Sequence, residues 1–332
     1  MGVIARGSGF LLAQEHKYRI APQPRDPISA PMEQYDLDTA LGFTIPARHA
    51  RGRIVRLGPV LDTILAAHAY PRAIEALLAE ALTLAALIGA TLKDVGGQLT
   101  LQAQTEGGVV RLLVCDYKGG ELRGYVDFDG DRLAEGPDEP TLFGLFGTGH
   151  LAITFDNAAT GERYQGIVPL DGTSLAEAAE NYFVQSEQIP TLVRLGVARC
   201  GDGRHVAGGL FLQHLPEGED GRERLHTRLG HPEWDHVAAL GATMGPDELA
   251  DPTIALETLV WRLFNEEDEV RVQSGVTLSR GCRCSPAYIA QVLAKFPVED
   301  RQAMADDNGV ITVDCAFCAR KFPVSASTGA DS

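Results

Sequence analysis

The sequence of 332 residues lacks an apolar run long enough to cross a membrane. A spanning helix needs about 20 consecutive apolar residues, and the longest such stretch, Ala81 to Leu92, is bracketed by Glu80 and Lys93. This pattern predicts a buried helix of a folded domain. Near the N-terminus only Phe10 to Ala13 form an apolar run, which is too short for the core of a secretory signal. We therefore expect a cytoplasmic protein with no membrane partner.

Positive charge is also scarce. The chain has 29 Lys and Arg residues against 45 Asp and Glu residues, which gives a net charge of -16. A chain of this charge repels phosphate backbones, so we expect no nucleic-acid partner. With 45% hydrophobic residues and only 36 glycines, the composition excludes collagenous and wholly disordered classes.

The familiar signatures of enzymes are missing. The sequence has no Gly-x-Ser-x-Gly nucleophile elbow, no Walker loop and no His-Glu-x-x-His helix. Gly201, Gly203, Gly208 and Gly209 do not have the spacing of a dinucleotide-binding loop and are typical of hairpin turns. The sequence therefore predicts that the protein is not an enzyme.

Two periodicities recur along the chain, and together they predict an α+β fold. Alternating apolar residues predict strands at 53–57, 98–103, 109–114, 151–155 and 164–168, and glycine-rich turns indicate an antiparallel arrangement. A long apolar helix is predicted from Pro71 to Leu92, and Ser174 with Glu177 form a capping box ahead of another helix. We therefore predict a body in which helices pack on an antiparallel sheet.

Shifts in composition divide the chain. Residues 1–35 carry several prolines among charged residues and are predicted to be a flexible extension. The folded core is predicted at 36–216, because a strongly charged run from Glu217 to Arg224 follows it. Residues 217–279 then form a predicted helical linker. Its last helix has a stripe of apolar residues on one face, which we expect to pack on the core. The members of this apolar stripe are Leu256, Leu259, Val260, Leu263 and Phe264.

Four of the six cysteines form two close pairs near the C-terminus, Cys282-Arg283-Cys284 and Cys315-Ala316-Phe317-Cys318. In a reducing compartment such clusters are more often metal ligands or redox sensors than static disulfides. Four thiolates fill a tetrahedral zinc site, whereas a catalytic zinc keeps one position open for water. The tight arrangement of the two pairs favours zinc over the alternatives, iron or an iron-sulfur cluster. We therefore predict one zinc ion on Cys282, Cys284, Cys315 and Cys318, in a small domain at 280–323 that a disordered tail at 324–332 follows.

The segment between the cysteine pairs predicts a small fold. Ser285 and Pro286 suit the N-cap and first position of a helix, whose apolar face would be Ile289, Val292, Leu293 and Phe296. A second short helix is predicted after Pro297. A turn at 307–309 then leads into a strand at 310–313, which delivers the second cysteine pair on a hairpin.

The zinc site has two interpretations from these residues alone. It could be a static structural zinc ribbon. It could also be a redox switch, because zinc holds all four sulfurs as thiolates and Arg280, Arg283, Arg320 and Lys321 add positive charge nearby. Zinc contributes on the order of 10 to 16 kcal/mol of binding free energy to such a site. Loss of zinc would therefore unfold the small domain and release the apolar stripe if the two pack together.

The cysteine pairs and several longer stretches resemble the family of 33 kDa heat-shock chaperones. The matching stretches occur in family order and cover roughly residues 36 to 323. They are Arg51 to Leu57, Leu112 to Tyr117, Tyr182 to Thr191, Gly208 to Gln213 and Trp261 to Phe264.

The resemblance implies a redox-regulated, ATP-independent holdase that binds unfolding proteins under oxidative stress. In that family the reduced form holds zinc and is inactive, and peroxide or hypochlorite pairs Cys282 with Cys284 and Cys315 with Cys318. Zinc then leaves and the metastable linker unfolds. The active form is a homodimer that passes its clients to ATP-dependent foldase chaperones. We take the apolar stripe as the candidate client-binding surface.

Two rival functions have specific arguments against them. A thiol oxidoreductase could use Cys315 and Cys318, but the thioredoxin-like βαβ pattern is missing. A zinc ribbon for nucleic acid needs a basic stripe, and charges near the cysteines are nearly balanced. Of the two remaining cysteines, Cys115 ends an apolar strand and is predicted to be buried, whereas nothing local decides whether Cys200 is reactive.

Overall fold

The computed structural model describes residues 37–92, 96–138, 140–170, 172–215 and 231–327. The predicted extension at 1–35, the charged run at 217–224 and the end of the predicted tail at 328–332 lie outside these described residues.

The described residues contain thirteen strands and ten α-helices. The strands are β1 (Thr39–Ile45), β2 (Ala50–Leu57), β3 (Gln98–Glu106), β4 (Val110–Lys118), β5 (Glu121–Phe128), β6 (Thr148–Asp156), β7 (Arg163–Pro169), β8 (Thr191–Arg199), β9 (His205–His214), β10 (Arg271–Thr277), β11 (Ser279–Arg280), β12 (Val310–Asp314) and β13 (Lys321–Ser325). The helices are α1 (Pro59–Leu65), α2 (Arg72–Gly89), α3 (Gly130–Ala134), α4 (Leu142–Phe146), α5 (Leu175–Tyr182), α6 (Pro232–Ala242), α7 (Pro246–Leu249), α8 (Leu256–Phe264), α9 (Pro286–Leu293) and α10 (Val298–Met304).

These strands form two large sheets and one hairpin. The first sheet has the order β10-β1-β2-β9-β8, and the second has the order β11-β5-β4-β3-β6-β7. All neighbours are antiparallel except β11, which pairs with β5 in parallel. The third sheet is the hairpin of β12 and β13. The predicted α+β fold with an antiparallel body is therefore confirmed, and the five predicted strands correspond to β2, β3, β4, β6 and β7, with β4 beginning one residue after its predicted start.

Helix α2 lies between the two large sheets. It is buried along nearly its whole length from Ile74 onward and packs on strands of both sheets, as its apolar sequence predicts for a helix with no solvent face. Gly89 near its end makes room for the ring of Tyr117, which lies where a Cβ would be. Cys115 faces the same core with no exposed surface, as predicted, and burial raises the pKa of its thiol well above the usual range.

The opposite face of the first sheet holds a second core. Side chains alternate across a strand, so Val55 of β2 faces α2 while its neighbour Ile54 faces away. Helices α6, α7 and α8 of the predicted linker cover this second face. All five members of the apolar stripe are buried there, and the rings of Phe264 and Phe43 lie 5.8 Å apart. The expectation that α8 packs on the core is therefore confirmed.

The linker also contributes strands that were not predicted. Strand β10 pairs with β1 at the edge of the first sheet, and β11 pairs with β5 at the edge of the second. Leu278 lies between them, is 2% exposed and belongs to the main core. The linker therefore crosses from one sheet to the other at a single buried residue.

Helix α5 begins as its sequence predicts, with one difference. The hydroxyl of Ser174 accepts a hydrogen bond from the amide of Glu177 at 3.2 Å. The Glu177 carboxylate does not return to the Ser174 amide but accepts from the amide of Thr173 at 2.7 Å. This bond lowers the pKa of Glu177.

The small C-terminal domain has the predicted pair of helices and a hairpin. The Ser285 hydroxyl accepts from the amide of Tyr288, and Pro286 begins α9. The prediction for Phe296 is wrong: its side chain is 41% exposed, because α9 ends at Leu293 and Phe296 lies in the turn before Pro297. The hairpin extends to Ser325, so the domain continues past 323. Its core consists of Leu293, Ile311, Val324 and Ala326, with a few partly buried neighbours.

Candidate metal centre and its junction with the body

Four cysteine sulfurs meet at one point of the small domain. Cys282 and Cys284 lie in the loop between β11 and α9, and Cys315 and Cys318 lie in the turn between β12 and β13. In that turn the amides of Cys318 and Ala319 both donate to the carbonyl of Cys315, at 3.2 and 2.8 Å. The tight turn directs the second pair towards the first.

The spacing of the sulfurs fits a tetrahedral metal site. The Sγ atom of Cys282 is 3.2 Å from that of Cys284 and 3.6 Å from that of Cys315. The Sγ atoms of Cys284 and Cys318 are 3.7 Å apart, and all four lie within 4.8 Å of one another. Four sulfurs at 2.3 Å from a tetrahedral zinc ion would be separated by about 3.8 Å. The four cysteines, which we call the sulfur cluster, could therefore hold a metal ion.

The charge around the sulfur cluster suits thiolate ligands. Burial raises the pKa of the Cys282 and Cys284 thiols, so a bound cation is needed to favour the thiolate form. Arg283 lies between these two cysteines, and its Nη1 atom donates to Gln98 Oε1 at 2.5 Å. Its Nε and Nη2 atoms are buried without a hydrogen-bond partner. A buried guanidinium beside the sulfurs would offset the negative charge of four thiolates.

An aromatic contact joins the sulfur cluster to the body. Phe317, in the turn between Cys315 and Cys318, lies with its ring centre 5.1 Å from that of Tyr125 on β5. The guanidinium carbon of Arg123 is 4.1 Å from the centre of the Phe317 ring, a cation–π contact. A salt bridge to Asp116 on β4, which is 3% exposed at its side chain, holds Arg123 in place. The cysteine turn is therefore in direct contact with the second sheet.

Polar contacts reinforce this junction. The Nε2 atom of His68, which follows α1, is 2.8 Å from the carbonyl oxygen of Ala316 in the cysteine turn. The amide of Gly281 donates to the carbonyl of Leu122 at 2.9 Å and continues the pairing of β11 with β5. The small domain thus docks on the second sheet through both cysteine-bearing segments.

Two arginines, one on β2 and one in the turn between β1 and β2, hold the linker. Arg56 of β2 has no exposed surface, and its Nε and Nη1 atoms donate to the carbonyls of Leu249 and Ile254. Burial lowers the pKa of Arg56 to about 10. Near the end of β1, Arg48 bridges Glu233 of α6 and Glu267, which follows α8. These bonds raise the pKa of Arg48.

The structure brings together some of the residues that the sequence analysis singled out and separates others. The four cysteines come together, whereas the apolar stripe lies in the second core and is separated from the small domain along the chain by β10 and Leu278. Cys200 lies outside the sulfur cluster, half-buried at the end of β8. Sequence reasoning missed the junction formed by Phe317, Arg123 and Tyr125. The sequence feature that could have indicated this junction is the aromatic residue Phe317 between Cys315 and Cys318.

The fold and the site define an α+β protein with an appended four-cysteine domain, and comparisons with known proteins agree. The family described as Hsp33 protein matches residues 38–325. The 33 kDa chaperonin of Caulobacter vibrioides (strain NA1000 / CB15N) is 42% identical over 292 residues, which are 86% of this chain and 94% of that protein. The 33 kDa chaperonin of Pseudomonas fluorescens (strain Pf0-1) is 36% identical over 295 residues, or 88% and 92% of the two chains. The chain belongs to the Hsp33 family.

A solved structure has the same fold. The crystal structure of the 33 kDa chaperonin, a heat shock protein 33 homolog, from Thermotoga maritima superposes with a TM-score of 0.70. The match covers 88% of this chain and 96% of that one at 22% sequence identity. The architecture of the body and the appended domain is therefore shared at low sequence identity.

Among the residues that the structure describes, no helix is both long and apolar enough to cross a bilayer.

Proposed function

We propose that this protein is a redox-regulated, ATP-independent chaperone that holds unfolding proteins and prevents their aggregation under oxidative stress. Membership of the Hsp33 family supports the chaperone class. The observation that carries the redox regulation is the position of the sulfur cluster. It lies at the junction where the small domain docks on the second sheet and where the linker ends.

In the reduced state one zinc ion would bind Cys282, Cys284, Cys315 and Cys318. A bound zinc ion holds the four thiolates together and contributes on the order of 10 to 16 kcal/mol to folding. The small domain needs this contribution. Its core cluster has four buried apolar side chains, and Phe322 of β13 is buried as well. So small a core cannot offset a conformational entropy cost of about 1 to 2 kcal/mol per ordered residue.

Oxidation would convert the four thiolates into two disulfides, Cys282 with Cys284 and Cys315 with Cys318. Each S–S bond that forms releases two electrons. Two molecules of hydrogen peroxide accept the four electrons and, with four protons from solvent, become four molecules of water. Sulfurs joined in disulfides no longer bind the ion, so the small domain loses its main source of stability.

Loss of the small domain would then free the linker. Leu278 and β11 lie directly before Cys282, so unfolding that starts at the sulfur cluster removes the β11 pairing and exposes Leu278 next. Helices α6 to α8 would follow and uncover the apolar stripe, our candidate client-binding surface: Leu256, Leu259, Val260, Leu263 and Phe264. The active form would be a cytoplasmic homodimer that passes clients to ATP-dependent foldases. It would catalyse no reaction.

The test is light scattering of a thermally unfolding client protein. Reduced, zinc-loaded protein should not suppress aggregation, and protein oxidised with peroxide under mild heat should suppress it at near-equimolar ratio. Zinc release, followed with a colorimetric chelator, should accompany activation. The Cys315→Ser variant should lose redox control, whereas Cys200→Ser, which alters a cysteine outside the sulfur cluster, should keep it.

The two rival functions predict different results, the first in this experiment and the second in an assay of disulfide reduction. A static zinc ribbon would leave both forms unable to suppress aggregation, and that outcome would refute the proposal. A thiol oxidoreductase would reduce a small disulfide with sustained turnover, which the proposal excludes.

A further inference from the structure

We infer that the edge of β1, which β10 covers in this structure, is a docking edge for an extended segment of an unfolding client. The segment would take the place of β10 in the first sheet and pair with β1 through main-chain hydrogen bonds. The inference rests on the proposed function, because β10 can leave only when the linker opens.

The attachment of β10 is almost wholly through its main chain. It pairs with β1 in antiparallel register, from Thr39 with Thr277 to Thr44 with Arg271, with an irregularity between Ala40 and Gly42. The side chains of β10 are exposed except for Val272, which is partly buried. Main-chain pairing is largely independent of side-chain identity, so an extended segment of another protein can make the same bonds.

Strand β1, in contrast, is fixed in the body. Five of its seven residues are buried, and it pairs with β2 along its entire length, from Thr39 to Ile45. Departure of β10 would therefore leave β1 in place with one row of amides and carbonyls unpaired. An unpaired strand edge of this kind is a template for strand addition.

The uncovered edge would adjoin an uncovered apolar surface. Phe43 of β1 faces the second core, where it contacts Phe264 of α8. Val272, its register partner on β10, packs against the same core. Alternate side chains of a strand point to the same face. A client segment paired with β1 would therefore direct every second side chain into the space that α8 leaves. The partner is thus an extended segment with apolar residues at alternate positions.

Hydrogen exchange tests this inference directly. The probe is reduced and carboxymethylated α-lactalbumin, a soluble unfolded protein. The β1 amides that pair with β10 should be protected in the reduced chaperone, should exchange at least tenfold faster after oxidation, and should regain protection when the probe is added. If they stay fast while the oxidised protein suppresses aggregation, the inference fails. If they regain protection after oxidation without the probe, a second copy of this chain covers the edge, which also overturns it.

A cross-linked variant provides a second test. Thr39 and Thr277 are directly opposite in the register, and the neighbouring amide of Leu278 donates to the carbonyl of Asp38 at 2.6 Å. A disulfide in the Thr39→Cys/Thr277→Cys variant would therefore keep β10 on β1 while the small domain and α6 to α8 remain free to open.

After oxidation the cross-linked variant should release zinc as the wild type does but suppress aggregation at least fivefold less. Thr277→Cys alone is the matched control and should behave as the wild type. Full suppression by the cross-linked variant would refute the docking edge and leave the proposed function intact. Absence of suppression by the oxidised wild type would instead refute the proposed function itself.

Discussion

Arg123 lies 4.1 Å from the centre of the Phe317 ring, so a side chain enclosed between two candidate metal ligands is also part of the interface with the body. The Nε atom of Arg123 donates to Asp116 Oδ2 at 2.6 Å, and Tyr125 contacts the Phe317 ring edge-on. Arg123 and Tyr125 contact the cysteine turn directly, and Asp116 holds Arg123 in position. If the four cysteines hold a metal ion as proposed, loss of that ion would change the cysteine turn, and this contact would transmit the change to the docked interface.

The first prediction concerns this contact. Phe317→Ala removes a cation–π pair and an aromatic pair, which together stabilise docking by about 1 to 3 kcal/mol. The zinc-loaded reduced protein should then suppress aggregation measurably, whereas the wild type should not. Zinc content should be unchanged, because Phe317 is not a ligand. Phe296→Ala is the control, since that exposed phenylalanine lies in the same domain. Equal behaviour of the two variants would show that the contact does not restrain opening.

A second prediction follows from the small core of the C-terminal domain. A strong zinc chelator under reducing conditions should unfold residues 280–327 while the body stays folded, because the body has an extensive core of its own. Hydrogen exchange should show fast amides in β12 and β13 and unchanged amides in α2. Persistent protection of the hairpin after complete metal removal would contradict a structural role for the metal.

The sequence predicted the elements whose signals are local. An apolar run predicts helix α2, and the close spacing of the four cysteines in two short segments predicts that they form one site. Strand β10 has no apolar alternation, since its sequence contains Gln273, Ser274 and Gly275. Its strand conformation comes from pairing with β1, a partner far away in the chain. That pairing is a property of the assembled sheet, so no local pattern predicts it.

The sequence also does not predict contacts between segments that are far apart in the chain. Phe317 meets Arg123 only because β11 docks beside β5 and brings the cysteine turn across the second sheet. Phe296 has the spacing of a helix face, but α9 stops at Leu293 and the following proline disfavours helical backbone before it. The presence of helix α9 was thus easier to predict from the sequence than the residue at which it ends.

The third prediction concerns Leu278, the buried residue between β10 and β11. It is 2% exposed in the main core, so Leu278→Ala should weaken linker docking by about 2 to 5 kcal/mol. The reduced protein should bind a dye for exposed apolar surface, and activation by peroxide should need less heat. Val276→Ala, two residues earlier and 44% exposed, should resemble the wild type. Equal dye binding by both variants would exclude Leu278 as an anchor.

The fourth prediction concerns the effect of acid on α6. The hydrogen bond from Arg48 lowers the pKa of Glu233 below its usual value of 4.5. A carboxylate of this kind stabilises the packed linker above pH 4.5 and loses that effect as the pH falls through its lowered pKa. Trp234, the next residue on α6, is 7% exposed. Its fluorescence, measured in a Trp261→Phe background, should therefore shift to longer wavelength as the pH falls below about 4.5.

Glu233→Gln separates this pair from other acid effects. The variant cannot form the charged pair with Arg48, so its linker should be less stable at pH 7 and should lose less stability between pH 7 and pH 3.5. Protons also displace metal from thiolates, but this loss is common to both proteins and cancels in the comparison. Denaturant unfolding followed by Trp234 at the two pH values gives the difference. If wild type and variant lose equal stability, the pair between Arg48 and Glu233 does not hold α6 on the first sheet.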